Sequence, residues 1–297
     1  MACVMSSIPN VNEDAAPLIE VEDLWVKFRL RAGDMTAVRG LSFTLGREKL
    51  AIVGESGSGK STVGRALLGL LSPNAVVEAK ALRFRGTDIL SASPREMRQI
   101  RGARISMILQ DPKFSLNPVI TVGEQIAEAY RAHHKVGRHE AKKNALEMLE
   151  AVQIRSPERV YGLYPHQVSG GMGQRIMIAM MLISDPDVII ADEPTSALDV
   201  TVRLQILAIL DDLVRKRGMG LIFISHDLNL VRSFCDRVVI MYGGQVMETI
   251  AAKDLDKVQH PYSRGLLDSL PSLETRRPAL PVLRRDPAWL AQKEQHP

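Results

Sequence analysis

Cysteine is almost missing from this chain. Cys3 and Cys235 are the two present in 297 residues. Two thiols cannot form a disulfide framework or a four-cysteine metal site, and so low a count suits a reducing compartment. Aromatic residues make up only 4% of the chain. Nucleic-acid surfaces usually interleave basic and stacking side chains. The late basic cluster of Arg276, Arg277, Arg284 and Arg285 therefore reads as a solvated tail, with an anionic lipid or a partner as the other reading. Long apolar runs are also missing. The longest unbroken one, residues 176–183, is far short of the roughly 20 residues a spanning helix needs. Residues 1–17 lack a basic start followed by an apolar core, so no signal peptide is expected. Any membrane role is expected to come through a partner. Charge of one sign is lacking too, with Lys and Arg numbering 38 against 34 Asp and Glu.

The remaining composition, 45% hydrophobic and 24% charged, is ordinary for a globular protein with one large domain or two smaller ones. The chain is organised around Gly54, Glu55, Ser56, Gly57, Ser58, Gly59, Lys60 and Ser61. These fit the spacing Gly-x-x-x-x-Gly-Lys-Ser of a phosphate-cradling loop. Residues 49–53 read as a buried strand entering the loop. Residues 61–71 read as a helix leaving it, with Val63, Ala66, Leu67 and Leu70 on one face. The glycines let backbone N–H groups converge, and the helix start adds positive dipole at the same point. Lys60 is expected to reach the β- and γ-phosphates and the Ser61 hydroxyl to bind Mg²⁺.

Residues 18–28 and 37–45 read as strands joined by a turn around Gly33 and Asp34. Phe28, closing the first, is a core residue or an aromatic that stacks on a nucleotide base. Residues 74–84 read as a turn and one strand, residues 94–100 as a short helix, and residues 105–109 as an apolar strand before Gln110. A proline-rich loop follows, then a helical stretch at residues 122–183, where Ala145, Met148, Leu149 and Val152 mark a core face. Residues 187–191 and 221–225 read as buried strands. Between them residues 202–214 read as a helix burying Leu204, Leu207, Ala208 and residues 210–213. Gly243 and Gly244 mark a hairpin between residues 237–242 and 245–248, and a short helix is expected around residues 262–269. Strands alternating with helices imply a mainly parallel sheet.

Several residues at element ends carry further chemistry. The strand of residues 188–191 ends in Asp192 and Glu193. In a phosphate-loop ATPase an aspartate there holds Mg²⁺, and the next carboxylate can orient and deprotonate water. Gln110 and His226 each follow a strand and could contact a γ-phosphate. Taken singly, either is as readily structural. Ser169, Gly170, Gly171 and Gln174 open a helix expected at residues 174–183, with Ser169 as a cap. A second anion-binding helix start makes best sense if two copies of the chain enclose one nucleotide.

Taken together, these residues resemble the ATP-binding subunit of ABC transporters from about Leu18 to Leu270. In that resemblance residues 54–61 look like Walker A, with Thr62 also on the nucleotide, and Gln110 looks like the Q-loop. Residues 169–174 look like the signature, residues 188–192 like Walker B, and Glu193 like the catalytic base. Ser196 and Asp199 look like the D-loop and His226 like the switch histidine. The resemblance raises Phe28 as a base-stacking residue and adds Gln110 to Ser61 and Asp192 as metal ligands. It implies a phosphate-loop, RecA-like α/β core with an antiparallel β subdomain and an α-helical insert. The implied layout is a tail at residues 1–17, an ATPase domain at 18–250 and an extension at 251–297. Its core is residues 18–110 and 186–250, with the helical subdomain at 111–185.

Finer features are similar to the dipeptide, oligopeptide and nickel import branch. They are Gln110-Asp111-Pro112, Ser115-Leu116-Asn117-Pro118, Tyr164-Pro165-His166, residues 191–200 and His260-Pro261-Tyr262-Ser263-Arg264. The resemblance implies ATP and Mg²⁺, a second ATPase subunit, two membrane permeases and, indirectly, a periplasmic solute-binding protein. It implies no nucleic acid partner. The expected place is the cytoplasmic face of a bacterial inner membrane. Two features depart from the pattern. Val168 and Met172 stand where the wider family has Leu and Gln, a methionine the branch tolerates. No cysteine follows Cys235, so the iron–sulfur cluster of many branch members is not expected. The alternatives are a nickel or other small-solute importer ATPase and a soluble ABC ATPase acting on DNA or ribosomes. A soluble one would usually be a fused pair or carry a long coiled coil. A non-hydrolysing regulatory subunit would have lost Glu193 or His226.

Overall fold

The computed structural model describes residues 16–270 and 286–290, apart from Ala32, Lys113, Phe114 and Ala197. Most of the expected tail, Cys3 and the late arginine cluster lie outside the described residues.

In chain order the first elements are β1 (Ile19–Phe28), β2 (Met35–Leu45), β3 (Lys49–Gly54), α1 (Lys60–Leu67), β4 (Ala75–Glu78), β5 (Ala81–Phe84) and β6 (Thr87–Asp88). Then follow α2 (Pro94–Ile100), β7 (Ile105–Ile108), α3 (Val122–His133), α4 (Arg138–Ala151), α5 (Pro157–Tyr161), α6 (Gly170–Leu182) and β8 (Val188–Asp192). The last are α7 (Val200–Arg217), β9 (Gly220–Ser225), α8 (Leu228–Phe234), β10 (Arg237–Tyr242), β11 (Gln245–Ala251) and α9 (Pro261–Asp268). The described residues fall into two compact units. One holds those up to Leu90 and those from Ser225 onward, and the other is Ser91–Ile224.

In the first unit an antiparallel sheet runs β2-β1-β5-β6, and β4 also pairs with β1. The strands alternate as a half-buried sheet requires: Leu41, Phe43 and Leu45 point inward, while Ser42 and Thr44 face out. By contrast, β3 is buried along Leu50, Ala51, Ile52 and Val53. It pairs in parallel with β10, in register from Leu50 beside Arg237 to Gly54 beside Met241. A strand covered on both faces reads as a continuous apolar run, which is what residues 50–53 show. The hairpin from β10 to β11 turns on Gly243 and Gly244, with φ of 52° and 86°. Two successive positive φ values suit the I′ turn that matches strand twist.

In the second unit β7, β8 and β9 are parallel neighbours, with Ile105 beside Val188 and Val188 beside Gly220. Helix α2 has a full capping box. The Ser93 side chain accepts from the Glu96 N–H, and the Glu96 carboxylate accepts from the Ser93 N–H. Helices α3 to α6 pack on the face formed by Ala145, Met148, Leu149 and Val152, all buried.

Four expectations are corrected. Helix α1 stops at Leu67, and Leu70 is 52% exposed. Gly69 takes φ 57°, its N–H bonds Ala66 O, and the Leu70 N–H bonds Arg65 O. This Schellman turn carries the chain off the helix axis before Leu70 can join the face. Helix α7 buries Ile206, Leu207, Ile209, Leu210, Leu213 and Val214, leaving Leu204 and Ala208 exposed. The apolar run is unbroken across residues 206–210, so period alone did not fix the buried side. Residues 74–84 hold two strands, split at Ala79 and Lys80. Helix α6 begins at Gly170, a turn earlier than residue 174, because the Ser169 cap starts it there.

Candidate functional site

Strand β3 delivers the chain into the loop of residues 55–59 in the first unit. At Gly54 a side chain has no room: an added Cβ would strike the carbonyl of Met241 and lie 2.9 Å from Ser58 Oγ. At Gly59 φ is 94°, and a Cβ would strike the carbonyl of Ala37. These two glycines are fixed by close backbone approach, and Gly57, with φ 81° and open space, by conformation. Lys60 opens α1 and is buried, its ammonium donating to Gly54 O at 2.9 Å and to Glu55 O at 2.7 Å. Ser61 and Thr62, in the same first turn, are half-buried. The Ser58 hydroxyl is buried with no hydrogen-bond partner among the described residues, and Ser56 is exposed. A cradle of glycines around an unsatisfied buried hydroxyl and a buried ammonium fits a phosphate chain. Phe28 ends β1 half-buried, its backbone opposite Met35 and Ala75. His226 follows β9 and is exposed. Asp227 beside it caps α8 by accepting from the Leu230 N–H, and donates its own N–H to Ser225 Oγ at 3.0 Å.

In the second unit β8 ends on buried Asp192. Glu193 then takes φ 46°, a left-handed conformation rare for a residue with a side chain. Its backbone is held at both ends: the N–H donates to Ile224 O at 3.0 Å, and the C=O accepts from Ser196 N at 3.3 Å and Ser196 Oγ at 3.2 Å. Ala197 lies outside the described residues. Asp199 accepts from the Val202 N–H at 3.0 Å and so caps α7.

The start of α6 joins this turn to its surroundings. Ser169 is the cap, accepting from the Met172 N–H at 3.3 Å, and is exposed together with Gly170. Gly171 faces Val202 of α7 too closely for a larger residue, with 2.9 Å from an added Cβ. Gly173 faces Pro112, in the loop after Gln110, at 3.6 Å. The buried Gln174 side chain donates to the carbonyl of Pro194, next to Glu193. Within this unit the structure therefore brings the α6 start, the Glu193 turn and the start of α7 into contact. Gln110 itself is exposed, two residues past β7.

Gln125 was not singled out from the sequence, and Tyr262 was named there without the contact it makes. Gln125, buried in α3, accepts from Asn117 N at 2.8 Å and donates to Asn117 O and Ile120 O at 3.0 and 2.9 Å. It shapes the loop that follows Gln110. An amide on the buried side of a helix, next to a proline-rich loop, was the available signal. The Tyr262 hydroxyl meets the phosphate loop.

The strand–loop–helix cradle on a parallel α/β framework defines a phosphate-loop nucleotide-binding protein. The ABC transporter family matches residues 38–196, and the chain belongs to that family. As a member it is an ABC ATPase that uses ATP. It is 46% identical over 261 residues to the oligopeptide transport ATP-binding protein OppD of Bacillus subtilis (strain 168), covering 87% of this chain and 73% of that protein. It is 48% identical over 260 residues to the dipeptide transport ATP-binding protein DppD of the same organism, covering 86% and 78%. Among solved structures, it resembles a dimeric ATP-binding cassette in a post-hydrolysis state with ADP and phosphate. The TM-score is 0.70 at 26% identity, covering 79% of this chain and 98% of that one. No helix among the described residues is long and apolar enough to cross a membrane.

Proposed function

We propose that this chain is the ATP-hydrolysing subunit of a bacterial peptide importer. The observation that carries the reading is the phosphate loop, where the Lys60 ammonium is buried against loop carbonyls and two glycines have no room for a side chain. The similar proteins named for oligopeptide and dipeptide transport support peptides as cargo. The protein works as a pair of ATPase subunits on the cytoplasmic face of the membrane, held there by two permeases fed by a solute-binding protein.

ATP lies on Gly54, Glu55, Ser56, Gly57, Ser58, Gly59, Lys60, Ser61 and Thr62, its base on Phe28. Lys60 turns from the Gly54 and Glu55 carbonyls to the β- and γ-phosphates. Ser61, Gln110 and Asp192 hold Mg²⁺. A donor set with a single carboxylate fits that ion, which takes its remaining ligands from phosphate and water. Bound there, Mg²⁺ neutralises charge on the phosphates. Glu193 accepts the proton of the attacking water, and Gln110 and His226 contact the γ-phosphate. Ser169, Gly170, Gly171 and Gln174 serve the nucleotide of the second subunit, as do Ser196 and Asp199 at the pair's interface. ATP drives closure because its contacts are better in the closed pair than in the open one.

The test is Glu193→Gln. ATP binding is retained and turnover falls by at least about 10²-fold. Hydrolysis at the wild-type rate in that variant sinks the assignment of the base.

A further inference from the structure

The phosphate loop is held from a direction that none of its own motif residues explains. The Glu55 N–H donates to the hydroxyl of Tyr262 at 3.3 Å, across 207 residues of sequence. The carbonyl of the same residue accepts from Lys60 at 2.7 Å. The backbone of Glu55 is thus pinned at both ends, by a tyrosine on one and by the phosphate-binding lysine on the other.

Tyr262 is well placed to act as a fixed post. It is fully buried in the first turn of α9. The start of that helix is tied down three times. The Tyr262 N–H donates to His260 Nδ1 at 3.1 Å. The N–H groups of Gln259 and His260 donate to the Glu248 carboxylate at 2.8 and 3.2 Å. Arg264 Nε donates to Val258 O at 3.0 Å. The ring itself is packed against Tyr242 at 4.6 Å between centroids and against Trp289 at 6.0 Å. Trp289 also meets Tyr242 and His260 edge-on, each at 5.8 Å. The segment carrying Trp289 is bonded to the β10–β11 hairpin, where Gln245 Nε2 donates to Leu290 O at 3.1 Å. The Leu290 side chain lies over Gly243, where a Cβ would come within 2.5 Å of it. The same β10 strand presents the Met241 carbonyl that crowds Gly54.

We propose that Tyr262 is a positioning residue for nucleotide binding and that residues 286–290 brace it. This rests on the reading of residues 54–61 as the ATP site. When Lys60 leaves the Gly54 and Glu55 carbonyls for phosphate, the loop loses its side-chain tether and keeps the Ser58 N–H bond to Glu55 O at 3.2 Å. The Tyr262 hydroxyl then keeps the entry to the loop in place, so less ordering is left for the nucleotide to impose. Helix α9 and residues 286–290 are in this account part of the ATP site rather than an appendage to it.

The experiment measures ATP affinity of the purified full chain for the wild type, Tyr262→Phe, Trp289→Ala and Lys60→Ala, with KM and kcat followed in the assembled importer. Losing one hydrogen bond raises Kd and KM about five-fold in Tyr262→Phe. Losing an aromatic contact raises them about three-fold in Trp289→Ala. In both, kcat stays at the wild-type value, because neither group meets the reacting atoms. Amide exchange in the nucleotide-free protein supplies the second readout: Tyr262→Phe speeds exchange at Glu55 and leaves Ile52 and Val53 protected. Unchanged ATP affinity in Tyr262→Phe overturns the proposal, as does protection lost equally along β3, which marks a purely structural role. If the wild type does not bind ATP, or Lys60→Ala binds it equally well, the phosphate-loop reading itself falls. That outcome is distinct from a normal site indifferent to Tyr262.

Discussion

The left-handed backbone at Glu193 predicts a trade between stability and activity. With φ at 46°, any side chain at this position sits close to the following carbonyl, which costs about 1–2 kcal/mol. The hydrogen bonds from the Glu193 N–H to Ile224 O and from Ser196 to the Glu193 C=O engage only main-chain atoms of Glu193, so they persist whatever its side chain. Glu193→Gly removes the steric cost, offset by about 0.5–1 kcal/mol for the greater freedom of an unfolded glycine. Glu193→Ala keeps the steric cost. Both variants lack the carboxylate, so their difference isolates the backbone. The glycine variant is expected to be the more stable by about 0.5–1 kcal/mol, or about 1–4 °C in Tm for a chain of this size. That ordering is the reverse of what a helix or strand interior gives. Urea titration and thermal unfolding without nucleotide measure it, alongside ATP turnover, which both substitutions abolish. A glycine variant less stable than the alanine variant refutes the account of Glu193 as a strained residue kept for its chemistry.

Two further perturbations separate space from conformation and charge from packing. Gly59→Ala and Gly57→Ala both force a side chain into positive φ, about 1–3 kcal/mol, but only at residue 59 does the new carbon also strike a backbone carbonyl, that of Ala37. Gly59→Ala is expected to lower ATP affinity tenfold or more beyond Gly57→Ala, and equal affinities by calorimetry would dismiss the clash. At His260, burial pulls the imidazole pKa below 6.5, with Glu248 opposing the shift. A depressed folded pKa means the neutral form is favoured on folding, so the contribution is complete above 6.5 and is lost as pH falls through the folded value. Protonation also removes the Nδ1 acceptor that caps α9. Between pH 7 and pH 5 the wild type should therefore lose more unfolding free energy than His260→Asn, whose cap does not titrate. Parallel losses by chemical denaturation would argue against it.

Where local pattern decides the structure, the sequence was readable. The unbroken apolar run of residues 50–53 could only be a covered strand, and the glycine spacing after it left few shapes for the loop. The short helix expected at residues 94–100 is present as α2, and the Ser93–Glu96 capping box fixes its start. The buried side of α7 was less legible, because five consecutive apolar residues satisfy several faces and only the packing chose among them. Leu70 was misplaced because a single Gly69 ended the helix one turn before the apolar pattern did. The meeting of Tyr262 with Glu55 had no local signature at all. It depends on two segments 207 residues apart, and no window along the chain contains both. The strain at Glu193 was likewise invisible, since it arises from main-chain bonds to Ile224 and Ser196 and not from residue type.

The pairing of β3 with β10 also bears on how the protein is made. Lys49 N–H donates to the Asp236 carboxylate at 2.8 Å, between residues 187 positions apart, at the point where the two strands begin to align. On a ribosome adding roughly 5–20 residues per second, β3 emerges about 10–40 s before β10 exists. For that interval the most apolar strand of the first unit, with the phosphate loop at its end, waits without this partner. Translation speed across residues 55–236 thus sets how long an aggregation-prone edge stays open in the nascent chain.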